Sequence, residues 1–232
     1  MLILGITGSI ATGKSTVSKF LHSISSWPLI DTDLVAKEII MLGTSTYKKV
    51  NDSFGREVMM EDGTINREAL GKLVFSNINA RKTLNRIMHP EILKITIIQA
   101  IKAWVRGEDV IIVDAPLLFE SGFDYLCGKI ICVACQENTQ IQRLRTRNGY
   151  TSEDSSKRIQ SQMPLCHKIQ LADIVIWNDG NKKDLEEKIK ELIKNIQPTR
   201  TRCLLERTIP ALTIISIIYI IIKRWLKKKG FK

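Results

Sequence analysis

Gly8-Ser9-Ile10-Ala11-Thr12-Gly13-Lys14-Ser15 has the spacing G-x-x-x-x-G-K-S, and Thr16 follows it. Glycines at these positions let backbone N–H groups close around phosphate oxygens, and a helix that starts there adds positive potential. Lys14 is then placed to reach the terminal phosphates, and the Ser15 hydroxyl to hold Mg²⁺. A chance Gly-rich turn is the bland alternative, and the context opposes it. Leu2-Ile3-Leu4-Gly5-Ile6-Thr7 reads as a buried strand, and Thr16 to Leu21 has helical spacing. The chain is therefore expected to bind a nucleoside triphosphate across Gly8 to Thr16.

Carboxylates and arginines elsewhere fit what is done with such a ligand. Ile111-Ile112-Val113-Asp114 is an apolar run ending in a carboxylate. Asp114 could orient the Mg²⁺ shell or its waters, although a turn cap is the ordinary role of such a residue. Asp31-Thr32-Asp33 follows a second apolar run, where a carboxylate at a strand end faces the same crevice. A hydroxyl nucleophile needs a proton acceptor in phosphoryl transfer. Asp33 is the first candidate and Asp31 the alternate, while either could instead cap the next helix. Gln140-x-x-Arg143-Leu144-x-x-Arg147 puts two arginines four apart on one helix face. Guanidinium groups suit the charge of a phosphoryl in flight, although a solvated face is the usual reason for such a pair.

These groups need a frame. Short apolar runs at 29–30, 110–113, 129–134 and 174–177 read as further strands alternating with helices, which predicts a parallel sheet covered on both faces. The interval from Asp33 to Gly107 carries only helical periodicity, with Pro90 inside its longest stretch. It is too long for a crossover and reads as an inserted helical subdomain, about 34–107. A polar interval within about 139–165 suits a helical lid. The expected fold is a three-layer α/β/α P-loop NTPase.

Charge and cysteines narrow the class. The net charge is +11, but the segment from Pro198 onward holds nine basic residues and one acid, so +8 lies there. The body is close to neutral, which argues against nucleic acid and for membrane electrostatics at the basic end. Five cysteines and a strand that starts at once predict a reduced compartment. Cys132 and Cys135 read as small buried residues at a strand end rather than metal ligands.

At this point the motifs resemble one family, the dephospho-coenzyme A kinases. The resemblance rests on Thr7 to Ser15, Asp31-Thr32-Asp33-Leu34-Val35-Ala36, Asp62-Gly63-Thr64-Ile65-Asn66-Arg67 and His89-Pro90-Glu91-Ile92. It continues through Asp114-Ala115-Pro116-Leu117-Leu118-Phe119-Glu120, the lid motif at 140–147, and Ala172 to Gly180. It implies transfer of phosphate from ATP, with Mg²⁺, to the ribose 3′-hydroxyl of dephospho-CoA. It further implies Asp33 as base, Lys14 and Arg147 on the transferred phosphoryl, and Arg143 as helper. Arg67, Arg81 and His89, together with Asp33 and Asp114, would serve the acceptor, and Asn178 to Gly180 would border the adenine. Ser9 departs from the family's second glycine, which costs something if that position needs a positive φ.

Residues 1–197 hold every motif, followed by a basic linker at 198–208, an almost wholly apolar run at 209–222 and a basic tail at 223–232. Fourteen residues of helix span about 21 Å, short of a bilayer core of about 30 Å. Basic flanks and the all-round apolar character still favour a membrane anchor over a core helix. A short terminal run of this kind resembles tail anchors of the mitochondrial outer membrane, with the endoplasmic reticulum as competitor. The expected setting is cytosol-facing, and an upstream enzyme of coenzyme A synthesis is a candidate partner. Two readings stay open from the residues: a kinase of another small hydroxyl compound, or a non-catalytic nucleotide-binding protein at a membrane.

Overall fold

The computed structural model describes residues 1–199 and 210–230, with side chains except at 148 and 210–214. The expectations for Arg200, Arg202, Arg207, Ile209 and Lys232 lie outside the described residues. The chain divides into two compact units, Met1–Ile30 with Lys102–Lys232, and Asp31–Ile101.

The sheet has five strands in the order β2-β3-β1-β4-β5. They are β1 (Leu2–Gly8), β2 (Leu29–Asp31), β3 (Val110–Asp114), β4 (Lys129–Ala134) and β5 (Ile174–Trp177). β1 pairs in parallel with β3 and β4, and β4 with β5. All five coincide with the apolar runs of the sequence, because strands buried on both faces read as continuous Val/Ile/Leu segments. Chain order reverses on either side of β1, so the crevice beyond its C-terminal end is where such a sheet binds ligands.

Helix α1 (Lys14–Ser25) and a helix over Lys182–Ile196 cover one face. Leu4, Ile6, Ile112, Ile131 and Val133 of the strands pack with Val17, Leu21, Leu185 and Ile189 in one core. On the other face the loop after β3 comes so close that a Cβ at Gly5 would lie 2.6 Å from Cys127 Sγ and 2.7 Å from Leu118 Cδ1. Burial pushes the Cys132 thiol up to about 12 and Cys135 to about 11. Both stay protonated at neutral pH and behave as small apolar residues.

The second unit is helical. It holds α2 (Thr32–Ile39), α3 (Ser45–Phe54), α4 (Arg67–Ser76) and most of α5 (Ile78–Val105). A side-chain acceptor closes each of the first three at its start: Asp31, Thr44 and Asn66. Pro90 lies inside α5. Val35, Ile39, Val50, Val58 and Leu70 are buried.

The lid interval forms α6 (Glu137–Asn148) and α7 (Ser152–Gln160), followed by α8 (Leu165–Leu171) and α9 (Lys182–Ile196). The last element, α10, is one helix over Pro210–Lys229. It runs without a break from Pro210 to Lys229 and so carries most of the apolar run and most of the basic tail. The tail is not free. Arg224 is fully buried, with Nε and Nη2 donating to Cys127 O at 3.1 and 3.0 Å and Nη2 to Asp173 Oδ2 at 2.5 Å. Lys227 donates to Ala172 O at 2.6 Å, Lys223 to Asp173 Oδ1 at 3.3 Å, and Lys228 to Asp124 Oδ1 at 2.9 Å. Burial pushes the Asp173 carboxyl up, but Arg224, the Ile130 N–H and Lys223 outweigh it and leave the group below its usual value. The spacing of basic residues was visible in the sequence; the carboxylates that receive them lie far back in the chain. No described helix is long and apolar enough to cross a membrane.

A chain ending at residue 199 loses the contacts of Arg224 and Lys223 with Asp173 and of Lys227 with Ala172 O, and opens Asp173 to water. A charge-assisted hydrogen bond contributes about 1.5–3 kcal/mol, so loss of the Arg224–Asp173 contact lowers Tm by about 3–12 °C in a domain of this size. Thermal unfolding of the full and shortened chains side by side tests this. Equal Tm values would show that α10 adds nothing to the folded unit.

Candidate active site

The phosphate loop leaves β1 at Gly8 and enters α1 at Lys14. Its left-handed residues are Ala11 (φ 62) and Gly13 (φ 89). Ser9 is not among them, so the cost expected for a side chain there does not arise. The two motif glycines are needed for close approach. A Cβ at Gly8 would stand 2.6 Å from Val133 O, and one at Gly13 would run into Asn178 Nδ2. Gly13 caps α1 without any side-chain acceptor, and the first turn holds no acid. α2, α3, α4, α7 and α9 are each closed by a side chain. The N-terminus of α1, at the end of the glycine loop, thus carries no side-chain acceptor or acid that would compete with an anionic ligand.

Lys14 Nζ donates to Asp114 Oδ1, and Ser18 Oγ donates to Asp114 Oδ2 at 2.7 Å. Register explains the meeting: Asp114 ends β3 opposite Ile6, two residues before the loop begins. The pair is buried, Lys14 at 9% and Asp114 at 2% exposure. Sequence reasoning missed Ser18, although its place one turn after Lys14 on α1 was a usable signal. Ser15 is exposed at the start of α1. Its hydroxyl and the Asp114 carboxylate are hard oxygen donors, which suit Mg²⁺ when phosphate oxygens complete the shell. Among the described residues no group of three or more His, Cys, Asp or Glu could hold a metal unaided.

The lid helices reach the loop from the other side. Gln140 Nε2 donates to Ile10 O at 2.7 Å, and the Ile10 N–H donates to Gln162 Oε1 at 3.0 Å. The Ser9 hydroxyl lies 3.5 Å from the same Gln162 oxygen. Arg143 donates to Ala11 O, Thr12 O and Asn178 O at 3.3, 3.2 and 2.7 Å, and Asn178 Nδ2 to Thr12 O at 2.9 Å. Arg143 and Asn178 thus brace the loop backbone. Ala11, Gly13, Thr16, Arg143, Arg147 and Asn178 line a cavity of about 760 Å³, together with Gly180 and Thr139. Asp179, within the stretch expected at the adenine, accepts from Gln136 N and Thr139 Oγ1 at 2.9 Å each and so fixes the start of α6.

A second missed feature is Lys168, fully buried on α8. It pairs with Glu120 at 3.0 Å and donates to Pro116 O at 2.8 Å. Thr7 Oγ1 donates to the same carbonyl at 3.2 Å, and the Met163 N–H to Glu120 at 3.3 Å. The loop that follows Asp114 is thereby tied to both the phosphate loop strand and the end of the lid.

In the second unit Asp31 Oδ1 accepts from Asp33 N and Leu34 N at 2.9 and 3.2 Å. Asp31 is the cap of α2, while Asp33 is exposed in its first turn. Arg67 Nη2 donates to Lys37 O at 3.1 Å. Arg81 is exposed near the start of α5. His89 is half-buried further along it, and burial holds its pKa below the usual value, so the ring is neutral at pH 7.

A glycine-lined phosphate loop at the switch point, a lysine–carboxylate pair at its base and an arginine-bearing lid define a P-loop kinase. The chain belongs to the dephospho-CoA kinase family, whose model matches residues 2–184. The dephospho-CoA kinase of rice is 40% identical over 87% of this chain and 87% of its own length. That of Saccharomyces cerevisiae is 36% identical over 99% of this chain and 96% of its own. Among solved structures, the Thermus thermophilus protein TT1252 superposes with a TM-score of 0.73 at 28% identity, covering 85% of this chain and 98% of that one. The dephospho-CoA kinase of Campylobacter jejuni gives 0.62 at 26% identity, over 84% and 96%.

Proposed function

We propose that this chain transfers the γ-phosphoryl of ATP to the ribose 3′-hydroxyl of dephospho-CoA, giving coenzyme A and ADP. The observation that carries the reading is Lys14 held on Asp114, which Ser18 also engages, at the base of the loop within the segment that matches the family. Lys14 exchanges the carboxylate for the β- and γ-phosphates when the nucleotide arrives, so its charge is in place before the reaction. Arg147 meets the charge that develops on the phosphoryl, and Asp33 takes the proton of the attacking hydroxyl. Arg67, Arg81 and His89 belong to acceptor binding. Ser15 and Asp114 are the residues that would hold Mg²⁺, which supplies charge neutralisation between the phosphates. We further propose that α10 tethers the enzyme to a cytosol-facing membrane, the mitochondrial outer membrane first, beside the upstream enzyme of coenzyme A synthesis.

ADP release measured with dephospho-CoA against a panel of nucleosides and other ribose-bearing acceptors tests the substrate, and phosphorus NMR of the product tests the 3′ position. Equal rates across the panel would sink the assignment. Arg147→Ala should lower kcat by about 10²-fold or more while changing the KM for ATP far less, because the contact strengthens only as charge develops. Arg147→Lys should rescue only in part, since an ammonium lacks the planar fork. Steady-state kinetics of both variants decide this, and a KM effect as large as the kcat effect would make Arg147 a binding residue only.

A further inference from the structure

Helix α10 is polar on the side that meets the protein and apolar on the side that does not. Arg224, Lys227, Lys228 and Lys223 turn inward onto Asp173, Asp124 and backbone carbonyls. Ile220 joins this inner face against Gly128. Ile215, Ile217, Ile218, Tyr219, Ile221, Ile222, Trp225 and Leu226 are all exposed, Tyr219 at 66% and Ile215 at 60%. A helix docked on a water-soluble body has the opposite arrangement.

From this inversion we infer that α10 lies flat in the interfacial layer of a membrane, clamped to the kinase body by its basic stripe, with its apolar face in lipid. The inference deepens the tethering reading above and rests on it. Three observations select a lipid surface as the occupant. At about 100° per residue the exposed apolar side chains sweep about 200° of the helix circumference, twice the stripe that a packed protein partner covers. Tyr219 and Trp225 lie within that arc, and such rings favour the headgroup boundary. Lys229 sits over the Trp225 ring at 3.9 Å, which puts a cation at the same level. Crossing the bilayer is disfavoured because Arg224 fixes the C-terminal half of the helix to Cys127 and Asp173 at the protein surface. The clamp has a further consequence. Asp173 and Asp124 of the body hold all four cations of the stripe inward and neutralise half of their charge, so apolar insertion leads the binding and attraction to anionic lipid is secondary.

The test is flotation of the full chain with vesicles of phosphatidylcholine alone and of phosphatidylcholine with phosphatidylserine, at low and high salt. Partition is expected to agree within about threefold between the two compositions and to survive high salt. The double substitution Ile218→Glu with Ile222→Glu should reduce it at least about tenfold, with kinase turnover and Tm unchanged. A C-terminal tag on the membrane-bound protein should remain open to added protease. A protected tag means a spanning helix and overturns the inference, while tethering stands. Binding only to phosphatidylserine vesicles at low salt overturns it too, because charge would then lead. No partition to either vesicle defeats the tethering reading itself and leaves the kinase assignment untouched. A dimer by light scattering that the double substitution disperses, without vesicle binding, assigns the apolar face to a second copy of the chain.

Discussion

Lys14→Ala is expected to lower kcat by at least about 10³-fold, the scale on which a single cation at a transferring phosphoryl acts. The geometry makes the prediction sharper than the motif does. Lys14 is held by Asp114, which Ser18 also engages, so its ammonium starts at the base of the loop instead of in solvent. Its removal also takes the ammonium away from a carboxylate at 2% exposure, which destabilises the fold. Tm must therefore be read beside turnover. Lys14→Ala with Asp114→Asn removes the buried carboxylate charge as well and should restore most of the lost Tm while leaving the enzyme inactive. Recovery of turnover in the double variant would mean that Lys14 serves the fold and not the phosphoryl. Turnover of the single variant within about tenfold of the parent would mean the same.

Asp33→Asn is expected to reduce kcat by about 10²- to 10⁴-fold, the range for a lost general base, with nucleotide affinity nearly unchanged. Asn keeps the shape and loses only the capacity to take a proton. Asp33 is exposed in the first turn of α2, so the stability cost should stay within about 1 kcal/mol, the helix-dipole scale. The structure supplies a control. Asp31 caps α2 through Oδ1, and Asn caps as well as Asp. Asp31→Asn should therefore keep both the helix and the turnover. The acid limb of the kcat/KM–pH profile should vanish in Asp33→Asn and persist in Asp31→Asn. If the two variants behave the other way round, Asp31 is the base and Asp33 is not.

Five strands were legible as apolar runs because a strand buried on both faces cannot hide its composition. The spacing of two glycines, a lysine and a serine was legible because a phosphate loop is a local backbone device. Glycine at position 8 and at position 13 could be read as necessary, but the reason came from the fold: Val133 and Asn178 come from distant segments to touch them. The concern over Ser9 dissolved for a similar reason, since the left-handed turn falls at Ala11 and Gly13. Arg143 and Arg147 were legible as a pair of arginines on one helix face, in a motif that Gln140 opens. That Arg143 and Gln140 reach loop carbonyls depended on where α6 lies over the loop. Ser18 on Asp114 and Lys168 on Glu120 join residues 96 and 48 positions apart, and no periodicity records such a pairing. The C-terminal segment shows the division most clearly. Its apolar and basic residues were plain in the sequence, and there the basic ones read as groups for lipid headgroups. Tertiary structure turned them onto Asp173, Asp124 and the Cys127 carbonyl. Local composition determines that a helix forms and which of its residues avoid water. A cation's choice between a headgroup and a carboxylate depends on which acceptor the folded chain holds, already partly desolvated, at the right distance.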